Sequence, residues 1–471
     1  MISYQELRQI EKELNEIKFD GQGVGNFILM PLYLGIYLRG YEKEFSNKRK
    51  FRTYLKYLKY KWQRPILRNK ASRQPNLSKL KNRWLFTSYS PRENLFKINY
   101  TVSQNLTSDQ SLFVLLDKRL ESFFREGVKP AFILGHEVSI SDTKEWKQYF
   151  RKIEPRFKTI VSSFLKRNKL QSSLYYLLKT ELIFQTQSYL AYISIIKELQ
   201  PKVLVVESDR YSSTVNLVLA AKKLGIISIS LMHGIIFKNF GFTPLLADFI
   251  LVWGEIQKKI LVKAGIDPQK IFVTGAPQLT EGIVVEKVAA RSKFSVPDKM
   301  KVALLATNRI MPELREKLVR EFAQAIDLLD NYVGYVKTHP SEDPTFYATI
   351  VAQYPKIQVH GTETLGFEES FALADVVCCY STAYAFDALM KKVPLIIINI
   401  DNEHLGYIKH FVDDLNIPLV QNSAELTEVL KRLETLEPKK QDSISNYYCK
   451  NYGDVAAKEV IKSINQLINS E

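Results

Sequence analysis

Two short stretches carry residue types that bind phosphate, and each follows a predicted strand. The first is Lys337-Thr338-His339-Pro340, directly after the apolar segment 332–336. A cation, a hydroxyl and an imidazole at the carboxyl end of a parallel strand stand where doubly wound sheets bind their ligands. This stretch is therefore a candidate loop for an anionic ligand, and an ordinary His-Pro turn is the alternative.

The second stretch is Ser381-Thr382, between a predicted strand at 375–379 and a predicted helix at 383–391. A helix that begins after two hydroxyl residues offers backbone N–H groups and a positive dipole end to an anion. The alternative is that the hydroxyls only cap the helix. If both strands lie in one sheet, Lys337, His339 and this helix end converge on one phosphate, which outlines a nucleotide-sugar site.

Further contacts to a nucleotide-sugar donor are predicted at other strand and helix ends. Asn308 follows a predicted strand, and Gly275 ends one at a point where the backbone can approach a ligand closely. Glu368 could accept hydrogen bonds from ribose hydroxyls, or simply favour the start of a helix. The remaining histidines lack such context and are predicted to be surface or packing residues: His136, His360, His404 and His410.

The candidate catalytic residues are His233 and Glu207, which end two neighbouring predicted strands. Transfer to a hydroxyl acceptor requires a group that removes a proton. An imidazole titrates near neutral pH, whereas Glu207 would need desolvation to become an effective base, so we favour His233. Asp209 and Arg210, together with Glu207, could instead hold or orient the acceptor, and a strand-end salt bridge within this set is the alternative. No Asp-x-Asp motif follows a predicted strand, so a metal-independent reaction without a further cofactor is expected.

These residues are positioned by apolar strands that alternate with amphipathic helices from residue 84 onward. Such alternation predicts an α/β fold with parallel sheets covered on both faces, and it occurs twice. We expect a helix at 109–125 and a long helical stretch at 144–199. The predicted divisions are a helical basic region at 1–83, an N-terminal Rossmann-like acceptor domain at 84–285, a linker at 286–300, a C-terminal nucleotide-sugar domain at 301–440, and a helix within 441–471 that crosses back to the first domain.

The spacing Gly21-x-Gly23-x-Gly25 is that of a phosphate-binding loop. No predicted strand precedes it, however, and the lysine of such loops is absent. The sequence therefore predicts a flexible connection here, or a loop on the acceptor side.

Positive charge is concentrated near the N-terminus. The formal net charge of the 471-residue chain is +16, and residues 39–83 hold 16 Lys and Arg against Glu42 and Glu44. Tyr and Trp residues at helical spacing within this segment suit a basic helix on an anionic membrane surface. A helix packed on its own domain is the alternative. No helix-turn-helix, zinc-finger or RNA-binding motif accompanies the segment, so no nucleic-acid partner is expected.

The cysteines and the apolar runs bear on the compartment. Cys378, Cys379 and Cys449 have neither the spacing of metal ligands nor that of a disulfide framework, which favours a reducing environment. The longest apolar run, 27–38, is shorter than the roughly 18 residues of a membrane-spanning helix. With no secretory signal evident, we expect a cytoplasmic protein, with peripheral contact to the inner face of the cytoplasmic membrane through residues 39–83.

Seven motifs between residues 201 and 399 together resemble one group of enzymes. They are Met232-His233-Gly234, Ala247-Asp248, Val252-Trp253-Gly254, Val273-Thr274-Gly275-Ala276-Pro277, Lys337-Thr338-His339-Pro340, Tyr380-Ser381-Thr382 and Phe386-Asp387. This set resembles the bacterial surface-polysaccharide group of GT-B glycosyltransferases: Kdo and sialic-acid transferases of capsule synthesis, polysialyltransferases and teichoic-acid glycerophosphotransferases. The resemblance covers a little under half of the chain.

The resemblance implies a fold and several residue roles. The fold is GT-B, in which two Rossmann-like domains face a central cleft. In these families the His-Pro and hydroxyl motifs are implicated in binding a cytidine nucleotide, which implies that role for His339, Ser381 and Thr382. The glycerophosphotransferases use the histidine of a similar His-Gly motif as general base, which implicates His233.

Two departures from related patterns limit the resemblance. The acidic-acidic-glycine motif of some sialyltransferases has no counterpart, because Glu368-Glu369 is followed by Ser370. His233 also lies outside the His-x-Glu-Ala-Gly context of a UDP-GlcNAc 2-epimerase, which argues against that activity.

The expected function is inverting, metal-independent transfer of a sugar onto a bacterial surface glycan or glycolipid. A CMP-linked acidic sugar such as Kdo or sialic acid is the favoured donor. Three alternatives stay open: a CDP-glycerol or CDP-ribitol phosphotransferase, a UDP-sugar-dependent transferase, and a non-catalytic partner in polysaccharide assembly.

Overall fold

The computed structural model describes the chain in separate stretches. These are residues 4–32, 80–89, 93–116, 118–123, 132–133, 144–170, 172–234, 236, 242–279, 285–308, 312–340, 342–401, 408–433 and 447–470. His136, His404 and all of the basic segment except residues 80–83 lie outside them, so the membrane contact stays a prediction. Across these stretches no helix is both long and apolar enough to cross a membrane.

The chain forms two compact units. The first contains the described residues up to 234, those from 242 to 279 and those from 450 onward. The second contains the described residues from 285 to 449, together with residue 236. Each unit is built on its own parallel sheet.

The first unit begins with two helices joined by a small hairpin. They are α1 (Tyr4–Asn15), β1 (Lys18–Phe19), β2 (Gln22–Gly23) and α2 (Val24–Leu32). The glycine spacing serves close packing, because a Cβ on Gly25 would lie 2.6 Å from the carbonyl oxygen of Glu11 and 2.8 Å from the Asn15 side chain. The Asn15 amide oxygen accepts a hydrogen bond from the Asn26 N–H at 3.0 Å. This turn is therefore a packed hairpin and not the flexible connection that the sequence suggested.

A seven-stranded sheet forms the centre of the first unit. Its strands are β3 (Trp84–Ser88), β4 (Ser111–Leu115), β5 (Phe132–Ile133), β6 (Val203–Val206), β7 (Ser228–Leu231), β8 (Phe249–Val252) and β9 (Ile271–Val273). All neighbours pair in parallel, in the order β5-β4-β3-β6-β7-β8-β9.

Helices cover both faces of this sheet. They are α3 (Glu93–Gln104), α4 (Lys144–Arg167), α5 (Ser173–Leu199), α6 (Ser212–Lys223), α7 (Glu255–Lys263) and the C-terminal helix Gly453–Asn469. Side chains alternate along each strand. Leu85 and Leu204 pack with α1, α2, α4, α5 and α6, whereas Phe86 and Val205 pack with α3 and the C-terminal helix.

One helix prediction in this unit was wrong, and the helical stretch predicted at 144–199 is confirmed. The segment expected to be a helix at 109–125 instead contains β4 and a short 3-10 helix, Lys118–Phe123. A continuous apolar run buried on both faces has no strand periodicity, so sequence alone does not separate it from a helix. The stretch 144–199 is two helices, with Lys169 between them at φ 52°.

The second unit is a six-stranded parallel sheet with helices between its strands. The strands are β10 (Lys301–Ala306), β11 (Tyr332–Lys337), β12 (Ile357–His360), β13 (Val376–Cys379), β14 (Leu395–Ile398) and β15 (Leu419–Val420). The helices are α8 (Lys287–Lys293), α9 (Pro312–Asp327), α10 (Pro344–Val351), α11 (Phe367–Leu373), α12 (Tyr384–Met390), α13 (Ile408–Leu415) and α14 (Ser423–Lys431). The strand order is β12-β11-β10-β13-β14-β15.

The segment expected to be a polar linker is a folded part of the second unit. Lys287 and Arg291 of α8 contact the two carboxylate oxygens of Asp375 at 2.6 and 3.1 Å. The same carboxylate accepts a hydrogen bond from the Val302 N–H at 2.7 Å. The polar residues of 286–299 thus hold α8 against the amino end of β13.

Both sheets reverse their strand order at one point. The reversal falls between β3 and β6 in the first sheet and between β10 and β13 in the second. Loops leave in opposite directions from the carboxyl ends of the two strands at such a switch point, which opens a crevice for ligands. The predicted α/β architecture with two doubly wound sheets is confirmed.

Gly275 is required by a backbone crossing within the first unit. The segment before the C-terminal helix runs beside it, and the Ala276 N–H donates to the Asn451 carbonyl oxygen at 2.8 Å. Gly275 has φ 104°, and a Cβ there would lie 2.2 Å from the same oxygen. The structure thus gives Gly275 a packing role, and its donor contact stays a prediction.

Replacing Gly275 by Ala should destabilise the protein more than the same change at Gly265. Both glycines have a left-handed φ, 104° and 93°, which costs a non-glycine residue about 1–2 kcal/mol. Only Gly275 also faces a backbone clash, since nothing lies within 4 Å of a Cβ at Gly265. Thermal unfolding of the two variants measures the difference, and equal losses in Tm would contradict the packing role.

Candidate functional site

Three neighbouring strands of the second sheet bring the predicted donor residues together at one edge. In the paired register Ala306 lies beside Lys337 on one side and Cys379 on the other. Asn308, His339 and Ser381 each stand two residues beyond these positions. The Asn308 side-chain amide donates to the Ser381 carbonyl oxygen at 2.7 Å, which joins the two loops across the switch point.

The His-Pro turn is fixed by an acidic side chain that sequence reasoning missed. The His339 N–H donates to Thr307 Oγ1 at 3.1 Å and to Glu342 Oε2 at 3.2 Å. Thr307 Oγ1 in turn donates to Glu342 Oε2 at 2.6 Å. The His339 residue is half-buried and Pro340 is exposed. The turn therefore holds the His339 backbone in place at the end of the sheet.

Lys337 does not occupy the place predicted for a phosphate contact. Its residue is 5% exposed, and its Nζ donates to the carbonyl oxygen of Leu365, in the loop before α11. Burial lowers the pKa of Lys337, although the nearby Glu369 carboxylate opposes this. Lys337 is the last residue of β11 and has a structural partner, whereas His339 lies in the turn beyond the strand.

The hydroxyl motif precedes a helix that is shorter than expected. Helix α12 begins at Tyr384 and has seven residues. Thr382 Oγ1 accepts a hydrogen bond from the Tyr384 N–H at 3.3 Å, as a capping residue does. Ser381 and Thr382 are both half-buried. Both residues lie in the loop that the Asn308 amide binds, and a helix of two turns supplies only a small dipole there.

Glu368 is engaged by a lysine. It forms an ion pair with Lys391, which follows α12 and also lies over the Phe371 ring. The adjacent Glu369 accepts from the Gly366 N–H at 3.2 Å and pairs with Lys293 at 2.6 Å. These contacts hold α11 against its neighbours, so the predicted ribose contact of Glu368 would compete with an ion pair.

In the first unit Glu207 ties two loops across the switch point. Its residue is fully buried, and its Oε1 accepts a hydrogen bond from the Tyr89 N–H at 2.6 Å. Glu207 follows β6 and Tyr89 follows β3, the two strands at which the order reverses. A carboxylate held in this way is a loop anchor, which weakens the prediction that Glu207 is a base.

Asp209 and Arg210 are buried and hold structure. Asp209 Oδ2 accepts hydrogen bonds from the Leu246 and Ala247 N–H groups at 2.6 and 3.1 Å. Its Oδ1 lies 3.4 Å from Arg210 Nε, and the two residues are 3% and 1% exposed. The strand-end salt bridge is thus the observed arrangement, and the predicted acceptor contact has no exposed surface at these side chains.

His233 lies in a row of aromatic rings along the carboxyl edge of the first sheet. Its ring stacks on Phe242 with centroids 4.9 Å apart and 17° between planes. On the other side its centroid is 5.9 Å from that of Tyr211, which is 5.6 Å from that of Tyr89. Tyr89, Tyr211 and His233 are each half-buried, whereas Phe242 is buried. We call these four residues the aromatic row.

Sequence reasoning missed the partners that position the predicted residues. Thr307 is the neighbour of the predicted Asn308, and Glu342 follows His339 by three residues, the spacing of a hydrogen-bonded turn. The sequence positions of Thr307 and Glu342 could therefore have identified both as partners. The aromatic row was not, since its members come from three separate loops that only the strand order brings together. In the described stretches no group of three His, Cys, Asp or Glu side chains is arranged to hold a metal ion.

Solved structures show which fold these two units form. The similar chains include UDP-GlcNAc 2-epimerase from Methanocaldococcus jannaschii, with 15% identity, a TM-score of 0.51, and coverage of 82% of this chain and 99% of that one. A UDP complex of MnaA from S. aureus has 13% identity, a TM-score of 0.51 and coverage of 82% and 97%. A glycosyltransferase from Rickettsia africae has 14% identity, a TM-score of 0.50 and coverage of 83% and 100%.

These likenesses define the fold class as GT-B, the class that the sequence motifs predicted. At such low identity they carry no further statement about activity. No family model matches the chain, and no curated protein matches it. The resemblance to capsule Kdo and sialic-acid transferases therefore stays a prediction within the broader GT-B class.

We expect the buried carboxyl group of Asp387 to make the stability of the second unit depend on pH. Burial raises the pKa of this carboxyl from 3.8 to about 7, although Lys391 opposes the shift. The folded state therefore holds a proton that the unfolded state releases, so this contribution to stability is present below about pH 4 and lost as the pH rises towards 7. Asp387→Asn should gain stability relative to wild type over that interval, as measured by Tm against pH.

A carboxylate with the opposite shift provides the control. A hydrogen bond from Lys431 lowers the pKa of the exposed Glu428, so its small contribution appears as the pH rises. Glu428→Gln should therefore lose stability relative to wild type at neutral pH and match it in acid. Parallel Tm profiles for wild type and Asp387→Asn would contradict the assigned shift.

Proposed function

We propose that the protein is a glycosyltransferase that uses a nucleotide-sugar donor. One observation carries the proposal: at the switch point of the second sheet the Asn308 amide binds the Ser381 carbonyl oxygen, and the His339 N–H of the neighbouring loop binds Thr307, next to Asn308. An imidazole, an amide and hydroxyls at this edge suit the phosphate and ribose of a nucleotide. The GT-B class adds support, because similar chains are described as glycosyltransferases or as sugar-nucleotide enzymes.

The donor we propose is a CMP-linked acidic sugar. Its support is that the His-Pro and hydroxyl motifs occur together and resemble those of the capsule transferases. His339 and Ser381-Thr382, which carry these motifs, lie at the same edge of the second sheet. A UDP-linked sugar is the competing donor, since similar chains are described with UDP or as UDP-GlcNAc enzymes. A CDP-glycerol or CDP-ribitol donor would use the same groups.

The first unit would bind the acceptor through the aromatic row. Aromatic faces pack against the C–H faces of sugar rings, while the polar tips of Tyr and His reach their hydroxyls. Tyr89, Tyr211 and His233 are half-buried and thus present surface for such contact. The acceptor class proposed is accordingly a glycan or glycolipid of the bacterial surface. Contact of residues 39–83 with the cytoplasmic membrane would suit a glycolipid.

In the proposed reaction His233 acts as the general base. Its imidazole removes the proton of the acceptor hydroxyl as the oxygen attacks the anomeric carbon, and the bond from that carbon to the donor phosphate breaks. The nucleotide leaves with the bonding electron pair. His339, Asn308 and the Ser381-Thr382 hydroxyls would stabilise the charge on the departing phosphate. Attack opposite the leaving group gives inversion, and no metal is required in this scheme.

A panel of labelled donors tests the proposal and the choice of nucleotide. CMP-sialic acid and CMP-Kdo should release CMP, and CDP-glycerol, UDP-GlcNAc and UDP-glucose should not react. Release from UDP-sugars alone would replace the cytidine donor by a uridine donor, whereas reaction of CDP-glycerol alone would assign a phosphotransferase. Conversion of UDP-GlcNAc to its 2-epimer would indicate an epimerase. Turnover of none of these donors would favour the non-catalytic alternative.

His233→Phe should abolish turnover and leave nucleotide binding intact. The phenyl ring preserves the stack on Phe242 but cannot accept a proton, and general-base catalysis contributes about 10²–10⁴-fold in rate. His233→Ala removes both the stack and the base, so the two variants should lose activity alike. If His233→Phe keeps activity while His233→Ala does not, the ring only packs and the base lies elsewhere.

A further inference from the structure

Glu342 stands at the centre of a buried network beside the proposed nucleotide site. Its side chain is 1% exposed, although the residue lies in a loop. Its two carboxylate oxygens receive hydrogen bonds from three parts of the second unit, which are the end of β10, the His-Pro turn and the first turn of α9. A carboxylate withdrawn from water in this way must be compensated by its partners.

The contacts divide between the two oxygens. Oε2 accepts from Thr307 Oγ1 at 2.6 Å and from the His339 N–H at 3.2 Å. Oε1 lies 3.3 Å from Arg315 Nη1. The Arg315 guanidinium also lies 5.2 Å from the centroid of the Phe346 ring on α10, which restrains it from a second side. One carboxylate thus binds groups from β10, β11 and α9 that the sequence keeps apart.

The network also closes the turn that carries His339. The Glu342 N–H donates to the His339 carbonyl oxygen at 2.8 Å, so the side chain and backbone of Glu342 both bind the same residue. The hydroxyl of Tyr347 lies against Thr307 and Glu342, and burial raises its pKa to about 12, so the phenol stays protonated. The backbone of His339 therefore has little freedom.

We infer that Glu342 is a positioning residue, which fixes the place of the His339 imidazole relative to Asn308 and Ser381 and thereby sets the affinity for the nucleotide phosphate. This inference rests on the proposed function. It assigns Glu342 no contact with the ligand. Removing the carboxylate should release Thr307 and the His339 N–H together, so that the imidazole samples several places.

A double-mutant cycle separates positioning from general stabilisation. We expect Glu342→Ala to weaken binding of CMP by about tenfold, as His339→Ala does, when measured by calorimetry on the full chain. The double variant should bind no more weakly than His339→Ala alone, because Glu342 acts through the imidazole. Additive losses would overturn the inference.

Two further variants sharpen the cycle. Glu342→Gln keeps an oxygen towards Thr307 and the His339 N–H and loses only the Arg315 ion pair, so it should retain most of the affinity. Thr307→Val removes the hydroxyl between Glu342 and His339 at nearly unchanged volume, and it replaces Glu342→Ala if that variant does not fold. Asp375→Asn is the matched control, since that carboxylate holds comparable contacts at the opposite edge of the same sheet. It should lower Tm without changing the affinity for CMP.

A readout without ligand distinguishes failure of this inference from failure of the proposed function. The His339 ring signal can be assigned in a histidine-labelled NMR spectrum through its loss in His339→Ala. It should shift or broaden in Glu342→Ala and Thr307→Val but not in Asp375→Asn. An unchanged His339 signal would overturn the positioning role. A wild-type protein that binds neither CMP nor UMP, with the signal displaced as expected, would overturn only the proposed function.

Discussion

The reversal of strand order in each sheet is the constraint on which the candidate site depends. Loops that leave adjacent strands at such a point diverge, so a hydrogen bond between them is needed to fix their relative positions. In the second sheet the Asn308 amide binds the Ser381 carbonyl oxygen at 2.7 Å, and in the first the Glu207 carboxylate binds the Tyr89 N–H at 2.6 Å. The two units thus use a side chain and a backbone group for the same purpose. The Glu207 bond is costly to lose, because that carboxylate is fully buried and has no water to replace its partner.

At each sheet edge, some polar side chains hold the structure together and others keep surface that a ligand could contact. Lys337, Asp209 and Arg210 look like binding residues, yet each is no more than 5% exposed and has a protein partner. Other predicted residues keep exposed surface: Asn308, His339, Pro340, Glu368, Ser381 and Thr382 in the second unit, and His233 in the first. A buried charge needs compensation from its surroundings, so a partner with fixed geometry marks a positioning group, and partial exposure marks one that can meet a ligand.

The sequence predicted the larger part of the fold and only part of the site. Apolar strands between amphipathic helices were sufficient for two doubly wound sheets, and β6, β13 and β14 are short apolar runs that follow a polar residue or proline. The strand β4 was wrongly predicted to be a helix, because Leu112 to Leu115 are all buried and show no alternation of apolar and polar residues. The helix α8 was wrongly predicted to be a linker, because its basic residues pair with Asp375, which lies far along the chain. The backbone crossing at Gly275 was missed for the same reason, because the segment that crosses it contains Asn451.

The site was harder to predict, because strand order determines which residues become the hydrogen-bond partners of its side chains. His339 could be selected by residue type, but the direction of Lys337 depends on which face of β11 it occupies, and a shift of one position reverses that face. The fold itself does not supply this information. A chain described as an epimerase and one described as a glycosyltransferase share this fold at 15% identity or less. What distinguishes such activities is the set of side chains at the strand ends. The aromatic row of the first unit and the Asn308–Ser381 pair of the second are two such sets in this chain.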